Sequence, residues 1–135
     1  MLPTRHLIAA AAFALPLLGG CATYGTPEQG TLADTDWTLV SLDGMPVSDS
    51  GAHLRFDGPR LAASAGCNQT GADWRAEGGR LIIGPVAATR MFCDGKMDAE
   101  QRFGALLDGD PSYAVSGDIL TLQGATHRAT LRRAG

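Results

Sequence analysis

The sequence is short of positive charge. It has a single lysine, Lys96, among 11 basic residues, against 14 acidic residues, and its formal net charge is −3. Nucleic-acid binding requires clustered Lys and Arg side chains that neutralise phosphates. The one basic cluster, Arg128, Arg132 and Arg133, lies near the C-terminus. We expect it to mark a solvated edge strand, where charge discourages aggregation, and we expect no nucleic-acid partner.

The sequence also lacks an apolar run of the about 20 residues that span a bilayer. The apolar segment from Leu7 to Leu18 is shorter than this and is interrupted by Pro16. A short basic end with Arg5 precedes it, and Gly19-Gly20-Cys21 follows. A basic end, a short apolar core and small residues before a cleavage point are typical of a secretory signal peptide.

The residues before Cys21 resemble the lipobox of bacterial lipoproteins, in which a peptidase cuts before the cysteine and the cysteine is acylated. We therefore predict a signal peptide over residues 1–20 and lipidation of Cys21, with several acyl chains and hence a stable membrane anchor. The alternatives are an ordinary cleaved signal with an incidental cysteine, and a buried N-terminal helix. Ala22 is not the aspartate that commonly signals inner-membrane retention, which favours the outer membrane, facing the periplasm.

Cysteine is scarce, with three in the chain. Once Cys21 is assigned to lipid, Cys67 and Cys93 form an even pair in a compartment that permits disulfides. Two interpretations stay open: a disulfide between them, or two buried free thiols that pack as small apolar groups. Their wide spacing is unlike that of a redox-active thiol pair.

Glycine turns divide the rest of the chain. Residues 21–35 are rich in Gly, Thr, Pro and acidic residues without apolar periodicity, so we predict a flexible tether with a reach of about 20 Å. Residues 36–135 have a size that buries a single core. They contain short apolar runs separated by turn signals, at Asp43-Gly44, Gly58-Pro59, Gly78-Gly79, Gly84-Pro85 and Gly117-Asp118.

Short strands joined by tight turns predict antiparallel pairing, with about seven to nine strands in all. The segment from Lys96 to Leu107 differs, because Ala99, Phe103 and Leu106 recur at helical spacing. We predict one amphipathic helix there, capped by Asp94 or Asp98 and ended by Gly109 and Pro111. The fold class is therefore α+β, mainly β: a curved antiparallel sheet or partly open β-barrel with one helix packed on it.

Two motifs each contain a cysteine: Gly66-Cys67-Asn68 with Gly71 behind it, and Thr89-x-Met91-x-Cys93. They occur in order with Trp37-Thr38-Leu39, Leu54-Arg55-Phe56, Glu100 with Phe103, and Gly117-x-x-Leu120-x-Leu122. In this combination the sequence resembles the META domain, a family typified by the heat-inducible bacterial lipoprotein HslJ. The resemblance runs from about Trp37 to Leu131. The resemblance implies a structural role for six motif residues: Trp37, Gly66, Asn68, Gly71, Thr89 and Met91.

The resemblance implies a small β-rich domain with one helix, similar in fold to the pilotin lipoproteins of type III secretion, and no established enzymatic activity. Members of the family are associated with heat shock and novobiocin tolerance. The sequence departs from the pattern at Trp74, where a tyrosine is common, and at Arg132-Arg133, where an apolar residue is usual. The second departure leaves open how the final strand pairs.

Catalysis by Cys67 would need a base such as His53 or His127 and an orienting group such as Asn68. The sequence fixes no such geometry, and a structural Cys-Asn turn is the simpler interpretation, with Asn68 bonding its own turn. In a bacterial lipoprotein the glycosylation sequon at Asn68 is accidental. We expect no catalytic residue.

Met91, Cys93 and a histidine would offer soft ligands to copper, but no histidine is close in sequence and zinc-like spacing is absent. We expect no metal and no cofactor, with Met91 and Phe92 at the core or its rim. Glu100 is interpreted as a solvated residue or a local backbone partner.

Three functions remain. The first is a non-enzymatic, lipid-anchored envelope protein, a monomer that supports stress or antibiotic tolerance by binding another envelope component. The second is a carrier of a small apolar ligand or lipid, with a cavity inside the barrel lined by Trp37, Phe56, Trp74 and Phe103. The third, an enzyme, is the least favoured.

Overall fold

Eight antiparallel strands form a closed barrel in the computed structural model, which describes residues 32–135. Two further short strands extend the sheet, and a helix of 12 residues lies against it. The predicted fold class is confirmed. The elements are β1 (Asp36–Leu42), β2 (Met45–Pro46), β3 (His53–Asp57), β4 (Arg60–Ser64), β5 (Thr70–Glu77), β6 (Arg80–Ile83), β7 (Ala87–Ala88), α1 (Met97–Asp108), β8 (Ser112–Ser116), β9 (Ile119–Gln123) and β10 (Arg128–Arg133).

The barrel closes between its first and last strands. β10 pairs with β9 on one side and with β1 on the other, up to Trp37 opposite Arg133. The expectation of a solvated edge strand at the C-terminus was therefore wrong. Successive side chains of a strand point to opposite faces, so Ala129 and Leu131 are buried in the barrel while Arg128 points outward. Along its whole length the final strand is paired.

A bulge in β1 explains why this strand is buried at irregular intervals. The register with β10 shifts between Leu39 and Ser41. A bulge adds one residue to a strand and changes which side chains face inward. Trp37 and Leu39 point into the core before the bulge, and Leu42 does so after it.

The barrel interior is filled. Trp37, Phe56, Trp74 and Phe103 are each at most 5% exposed, and the rings of Phe56 and Trp74 meet edge-to-face with centroids 4.6 Å apart. If these side chains lined a cavity, part of their surface would be accessible to a water-sized probe, and almost none of it is accessible. The predicted carrier cavity inside the barrel is therefore not formed by these aromatics.

The folded domain begins earlier than the predicted boundary at residue 36. Leu32 is fully buried in the core, and its carbonyl accepts a hydrogen bond from Thr35 Oγ1. The hydroxyl of Thr35 also accepts a hydrogen bond from the indole N–H of Trp37 at 2.8 Å. The backbone carbonyl of Thr35 accepts the N–H of Phe56 at 2.9 Å. Residues 32–35 thus belong to the domain, and only residues 21–31 remain for the predicted tether. Those residues, Cys21 and the predicted signal peptide lie outside the described residues.

The register gives the barrel two distinct ends. At the first, which we call the N-terminal end, β1 starts at Asp36, β3 ends at Asp57, and the backbone N–H of Arg133 donates to Asp118. At the second, which we call the helix end, lie the β1–β2 turn at Asp43, the β4–β5 loop at residues 65–69, and α1. The chain therefore enters the barrel at the end opposite the helix.

Helix α1 buries the predicted apolar face, with Phe103, Leu106 and Leu107 in the core. It ends before Gly109, as expected. The predicted N-cap was wrong, because the N-cap residue is Lys96 and no side chain caps the helix. Asp98 instead lies in the first turn and bonds to Arg102, one turn later.

The seam between β6 and β8 is the thinnest ladder of the barrel, with one residue pair, Arg80 and Ser112. Asp110 supplements it: its carboxylate accepts the N–H of Ile83 at 2.9 Å, and its carbonyl accepts the Arg80 guanidinium at 3.0 Å. Within residues 32–135, no helix is long and apolar enough to cross a membrane.

Candidate binding site at the helix end

A disulfide joins the two loops of the helix end. Cys67, in the β4–β5 loop, is bonded to Cys93, in the loop that leads into α1, and their Cα atoms are 6.0 Å apart. The sulfur of Cys67 is thereby removed as a nucleophile. The two candidate bases are engaged elsewhere, His53 with the carbonyl of Gly51 and His127 with Asp43.

The side chain of Asn68 fastens the second loop to the first. Its Oδ1 accepts the N–H of Met91 at 2.6 Å and the hydroxyl of Thr89 at 3.1 Å, and its Nδ2 donates to the Met91 carbonyl at 3.1 Å. The expectation that Asn68 bonds its own turn was wrong. A buried amide needs several partners, and the backbone of Met91 and the hydroxyl of Thr89 supply them. The hydroxyl of Thr89 in turn accepts the N–H of Gln69 at 2.9 Å.

Glu100 connects α1 to the same loop. Its Oε1 accepts the backbone N–H groups of Cys67 at 2.8 Å and Asn68 at 2.9 Å. These partners are more than 30 positions away in sequence, so the interpretation of Glu100 as a solvated residue or local partner was wrong. Charged acceptors make stronger hydrogen bonds than neutral ones, and this carboxylate holds the first turn of the helix against the β4–β5 loop.

Gly66 permits a close approach at the edge of this network. Its φ is +116°, and a Cβ on it would lie 2.5 Å from Oδ2 of Asp49. Asp49 forms an ion pair with Lys96, and the hydrogen bond from that ammonium lowers the pKa of the Asp49 carboxyl. Gly71 has less need of its small size, since a Cβ there would first meet the end of the Arg60 side chain at 3.3 Å.

Asp43, in the β1–β2 turn, joins two other segments at the helix end. Its carboxylate accepts the N–H of Arg128, His127 Nδ1 at 2.7 Å and the guanidinium of Arg102 at 3.0 Å. These bonds lower the pKa of Asp43 to about 2, and the hydrogen bond from the Arg128 backbone has the largest effect. The β1–β2 turn, the β9–β10 turn and α1 therefore meet at one ionised carboxylate.

A groove runs along one side of the helix. Its volume is about 440 Å³, within the range of about 300–1,000 Å³ for ligand sites. Val86 and Ala88 form one wall, and α1 forms the other with Met97, Gln101 and Gly104. A Cβ on Gly104 would meet no atom within 4 Å, so the helix leaves this wall open. We call this cavity the helix groove.

Four large apolar side chains are exposed beside the helix. Phe92 is 80% exposed, Met45 61%, Met91 54% and Val86 41%. Met91 and Phe92 precede the bridged Cys93, Val86 lines the helix groove, and Met45 lines a cavity on the opposite side of α1. The expectation that Met91 and Phe92 lie at the core or its rim was wrong. We call these four residues the apolar patch.

The described residues give no sign of a metal centre. Within residues 32–135, no three His, Cys, Asp or Glu side chains are grouped as metal ligands. Cys93, considered as a copper ligand with Met91, is committed to the disulfide.

The order of motifs and this architecture agree with one family. Residues 30–135 match the model of the META domain. The chain belongs to the META domain family. No enzymatic family is indicated for this META protein, and no curated protein matches it.

Solved structures share its fold. One determined by NMR is 24% identical with a TM-score of 0.69, and the match covers 80% of this chain and 94% of the other. A second NMR structure, from Burkholderia xenovorans, is 20% identical with a TM-score of 0.61, covering 98% and 99%. A crystal structure of a DUF4847 family protein from Bacteroides vulgatus ATCC 8482 is 13% identical with a TM-score of 0.58, covering 77% and 95%. At these identities the likeness concerns the fold alone.

Proposed function

We propose that this META protein is a lipid-anchored protein of the bacterial envelope, held at the outer membrane and facing the periplasm, that binds another envelope protein at its helix end. The observation that carries the proposal is the apolar patch. Large apolar side chains on a monomer surface mark interaction sites when they lie together. Met91 and Phe92 are adjacent on the loop leading into α1, while Val86 and Met45 line cavities on opposite sides of that helix.

The surface around the patch is held in a fixed shape, which favours binding. The disulfide and the bonds of Asn68 fix the loop that carries Met91 and Phe92, and the Glu100 carboxylate fixes the β4–β5 loop to which it is bonded. Association costs less free energy when loops are ordered beforehand. Aromatic residues, Phe among them, and Met are enriched at the cores of protein interfaces.

The position of the chain entry supports attachment through Cys21. The chain reaches the barrel at the N-terminal end, where Leu32 is buried, while the apolar patch lies at the helix end. A lipid on Cys21, followed by a tether over residues 22–31, attaches the domain by the end away from the patch. The helix end is then directed into the periplasm, where a partner can reach it.

The proposal extends to stress tolerance through the family resemblance. Heat and novobiocin tolerance in META lipoproteins would follow from binding a component of the stressed envelope. Loss of binding at the patch is then expected to reduce tolerance without unfolding the domain.

The test of the anchor is Cys21→Ala. We expect this variant to lose its lipid and leave the membrane fraction of lysed cells. Normal membrane fractionation of the variant would refute the anchor.

The test of binding places the photo-reactive amino acid p-benzoyl-phenylalanine at Phe92 of the full chain in living cells. A matched control places it at Asp118, whose side chain is 80% exposed at the N-terminal end. We expect a discrete protein adduct from position 92 and none from position 118. Equal adducts from both positions, or none from either, would contradict partner binding at the helix end.

A further inference from the structure

All three methionines of residues 32–135 lie at the helix end. Met45 is in β2, Met91 is in the loop that leads into α1, and Met97 is the first residue of that helix. Oxidation of the methionine thioether to a sulfoxide converts a flexible apolar side chain into a polar one. The oxidisable thioethers of these residues are therefore gathered at the surface that carries the apolar patch.

Solvent exposure separates the three thioethers. Met45 is 61% exposed and Met91 is 54% exposed, whereas Met97 is half-buried. The sulfur of Met97 also accepts the backbone N–H of Cys93 at 3.4 Å, which occupies one of its lone pairs. Because an oxidant in water must reach the sulfur atom, we expect Met45 and Met91 to react first.

The other sulfur atoms and both indoles of residues 32–135 are protected. Cys67 and Cys93 are joined in a disulfide, so neither presents a thiol. The indoles of Trp37 and Trp74 are buried in the core. Among these sulfur and indole groups, exposed methionine is therefore the one that an oxidant in solution can reach.

We propose that Met91 is an oxidation site that controls partner binding: a peroxide that reaches the envelope converts it to methionine sulfoxide, which weakens binding at the apolar patch. This inference rests on the proposed function, and it specifies how binding at that surface is regulated. Met91 is adjacent to Phe92, the most exposed member of the patch, on the same loop. Met45 belongs to a different segment, β2.

The oxidation is a two-electron step. A lone pair of the Met91 sulfur attacks one oxygen of hydrogen peroxide, so that an S–O bond forms and the O–O bond breaks. The proton on the transferred oxygen moves to the departing hydroxide, which leaves as water. The sulfur is oxidised and the peroxide is reduced. A dithiol reductant reverses the change, since the two thiols become a disulfide and the sulfoxide oxygen leaves as water.

The backbone of Met91 is fixed while its side chain is exposed. Its N–H donates to Oδ1 of Asn68 at 2.6 Å, and its carbonyl accepts Nδ2 of Asn68 at 3.1 Å. Oxidation at the sulfur removes neither bond, so the loop keeps its place and only the chemistry of its surface changes. A sulfoxide oxygen that a partner covers without offering a donor loses its hydration, which opposes binding.

The first measurement locates the oxidation. Membranes that carry the full chain are treated with hydrogen peroxide, and the gain of an oxygen atom at each methionine is followed by mass spectrometry of proteolytic peptides. We expect Met45 and Met91 to be oxidised at least about fivefold faster than the half-buried Met97. Oxidation of Met91 no faster than that of Met97 would overturn the assignment.

The second measurement follows binding. p-Benzoyl-phenylalanine at Phe92 reports the partner adduct in living cells, with and without a short exposure to hydrogen peroxide, and each chain is compared with itself. We expect peroxide to reduce the adduct of the parent at least about fivefold. In Met91→Leu, which has an apolar side chain without sulfur, the adduct should be the same with and without peroxide. Met45→Leu is the matched control at a similarly exposed methionine, and it should keep the sensitivity of the parent.

A further variant imitates the oxidised state. Met91→Gln places a polar amide at the position of the sulfoxide, and we expect it to lower the adduct without peroxide by a similar factor of about five. Thermal unfolding of each purified full-length variant checks that the fold is retained.

Other outcomes overturn the inference. If peroxide lowers the adduct equally in the parent and in Met91→Leu, the sensitive group is not Met91. If Met91 is oxidised in the parent and the adduct persists, the regulation fails while the proposed function stands. An untreated parent without an adduct from Phe92 would instead contradict the proposed function, and the regulation with it.

Discussion

The side-chain amide of Asn68 pairs with the backbone of Met91 as one strand pairs with another. Its Oδ1 accepts the N–H of Met91, and its Nδ2 donates to the carbonyl of the same residue. A single side chain thus replaces a rung of β-ladder between two loops that contain no strand at this point.

Asn68→Asp tests this pairing. A carboxylate keeps the acceptor for the Met91 N–H but faces the Met91 carbonyl without a donor. Because Asn68 is buried, we expect the free energy of unfolding to fall by about 1–3 kcal/mol, measured by urea denaturation at pH 7. The neighbouring Gln69→Glu is the matched control, since Gln69 is exposed, and we expect its effect to be within about 0.5 kcal/mol. Equal losses for both variants would contradict the pairing.

Replacing Glu100 tests the link between α1 and the β4–β5 loop. Glu100→Ala leaves the N–H groups of Cys67 and Asn68 without their acceptor, and we expect a loss of about 1–3 kcal/mol in the free energy of unfolding. Glu100→Gln keeps an acceptor oxygen and should lose less. Amide hydrogen exchange at Cys67 and Asn68 should accelerate in Glu100→Ala. Unchanged exchange at both amides would show that the carboxylate is dispensable.

The pH dependence of stability tests Asp43. Its pKa is lowered from 3.8 to about 2 in the folded protein, so its ionised form favours folding. That contribution is fully present above pH 3.8 and is lost as the pH falls to about 2. Asp43→Asn, which tolerates the positive φ of this position, should therefore be less stable than the parent above pH 4, with the difference shrinking toward pH 2. If the difference in unfolding midpoint between Asp43→Asn and the parent stays constant over this pH range, the ionised Asp43 carboxylate does not stabilise the fold.

The disulfide is tested by the double variant Cys67→Ser with Cys93→Ser. The two cysteines are 26 positions apart, and closing a loop of that size stabilises a protein by about 3.5 kcal/mol in the chain-entropy model. We expect the urea midpoint of the double variant to fall accordingly. Labelling of free thiols at Cys67 and Cys93 in the unfolded, unreduced protein should be negligible. Strong labelling of both would show that they are not bridged.

The strands and the helix were predictable because their signals are local. Glycine turns separate most strands, and the stripe of Phe103 and Leu106 has the period of a helix. β2 and β7 were missed since each has two residues, too few to show a period. The start of the helix was predicted to within one residue, but its capping residue was wrong: Asp94 and Asp98 have the residue type of a cap, while the N-cap residue is Lys96 and Glu100 holds the first turn against the β4–β5 loop.

The closure of the barrel, and the hydrogen bonds of Asn68 and Glu100 at the helix end, could not be derived from local patterns. The pairing of Trp37 with Arg133 joins opposite ends of the domain, and the Arg133 guanidinium lies 4.5 Å from the centre of the Trp37 ring. The arginines of β10 were interpreted as a mark of an edge strand. The alternation of side chains shows which face of a strand is buried, but not whether another strand pairs with it on either side. The partners of Asn68 and Glu100 are more than 20 positions away, and a polar residue beside a cysteine motif is only a weak signal of them.

The thin seam between β6 and β8 has a consequence for how the barrel opens. Elsewhere neighbouring strands of the barrel share at least three residue pairs, but at this seam Asp110 replaces much of the ladder with its side chain and carbonyl. Regions with few backbone hydrogen bonds open at lower free energy than the whole protein. Two backbone hydrogen bonds, from Leu81 to Pro111 and from Tyr113 to Gly79, cross this seam beside the bonds of Asp110. We therefore expect the barrel wall to open at the lowest free energy between β6 and β8, where these few bonds hold it closed.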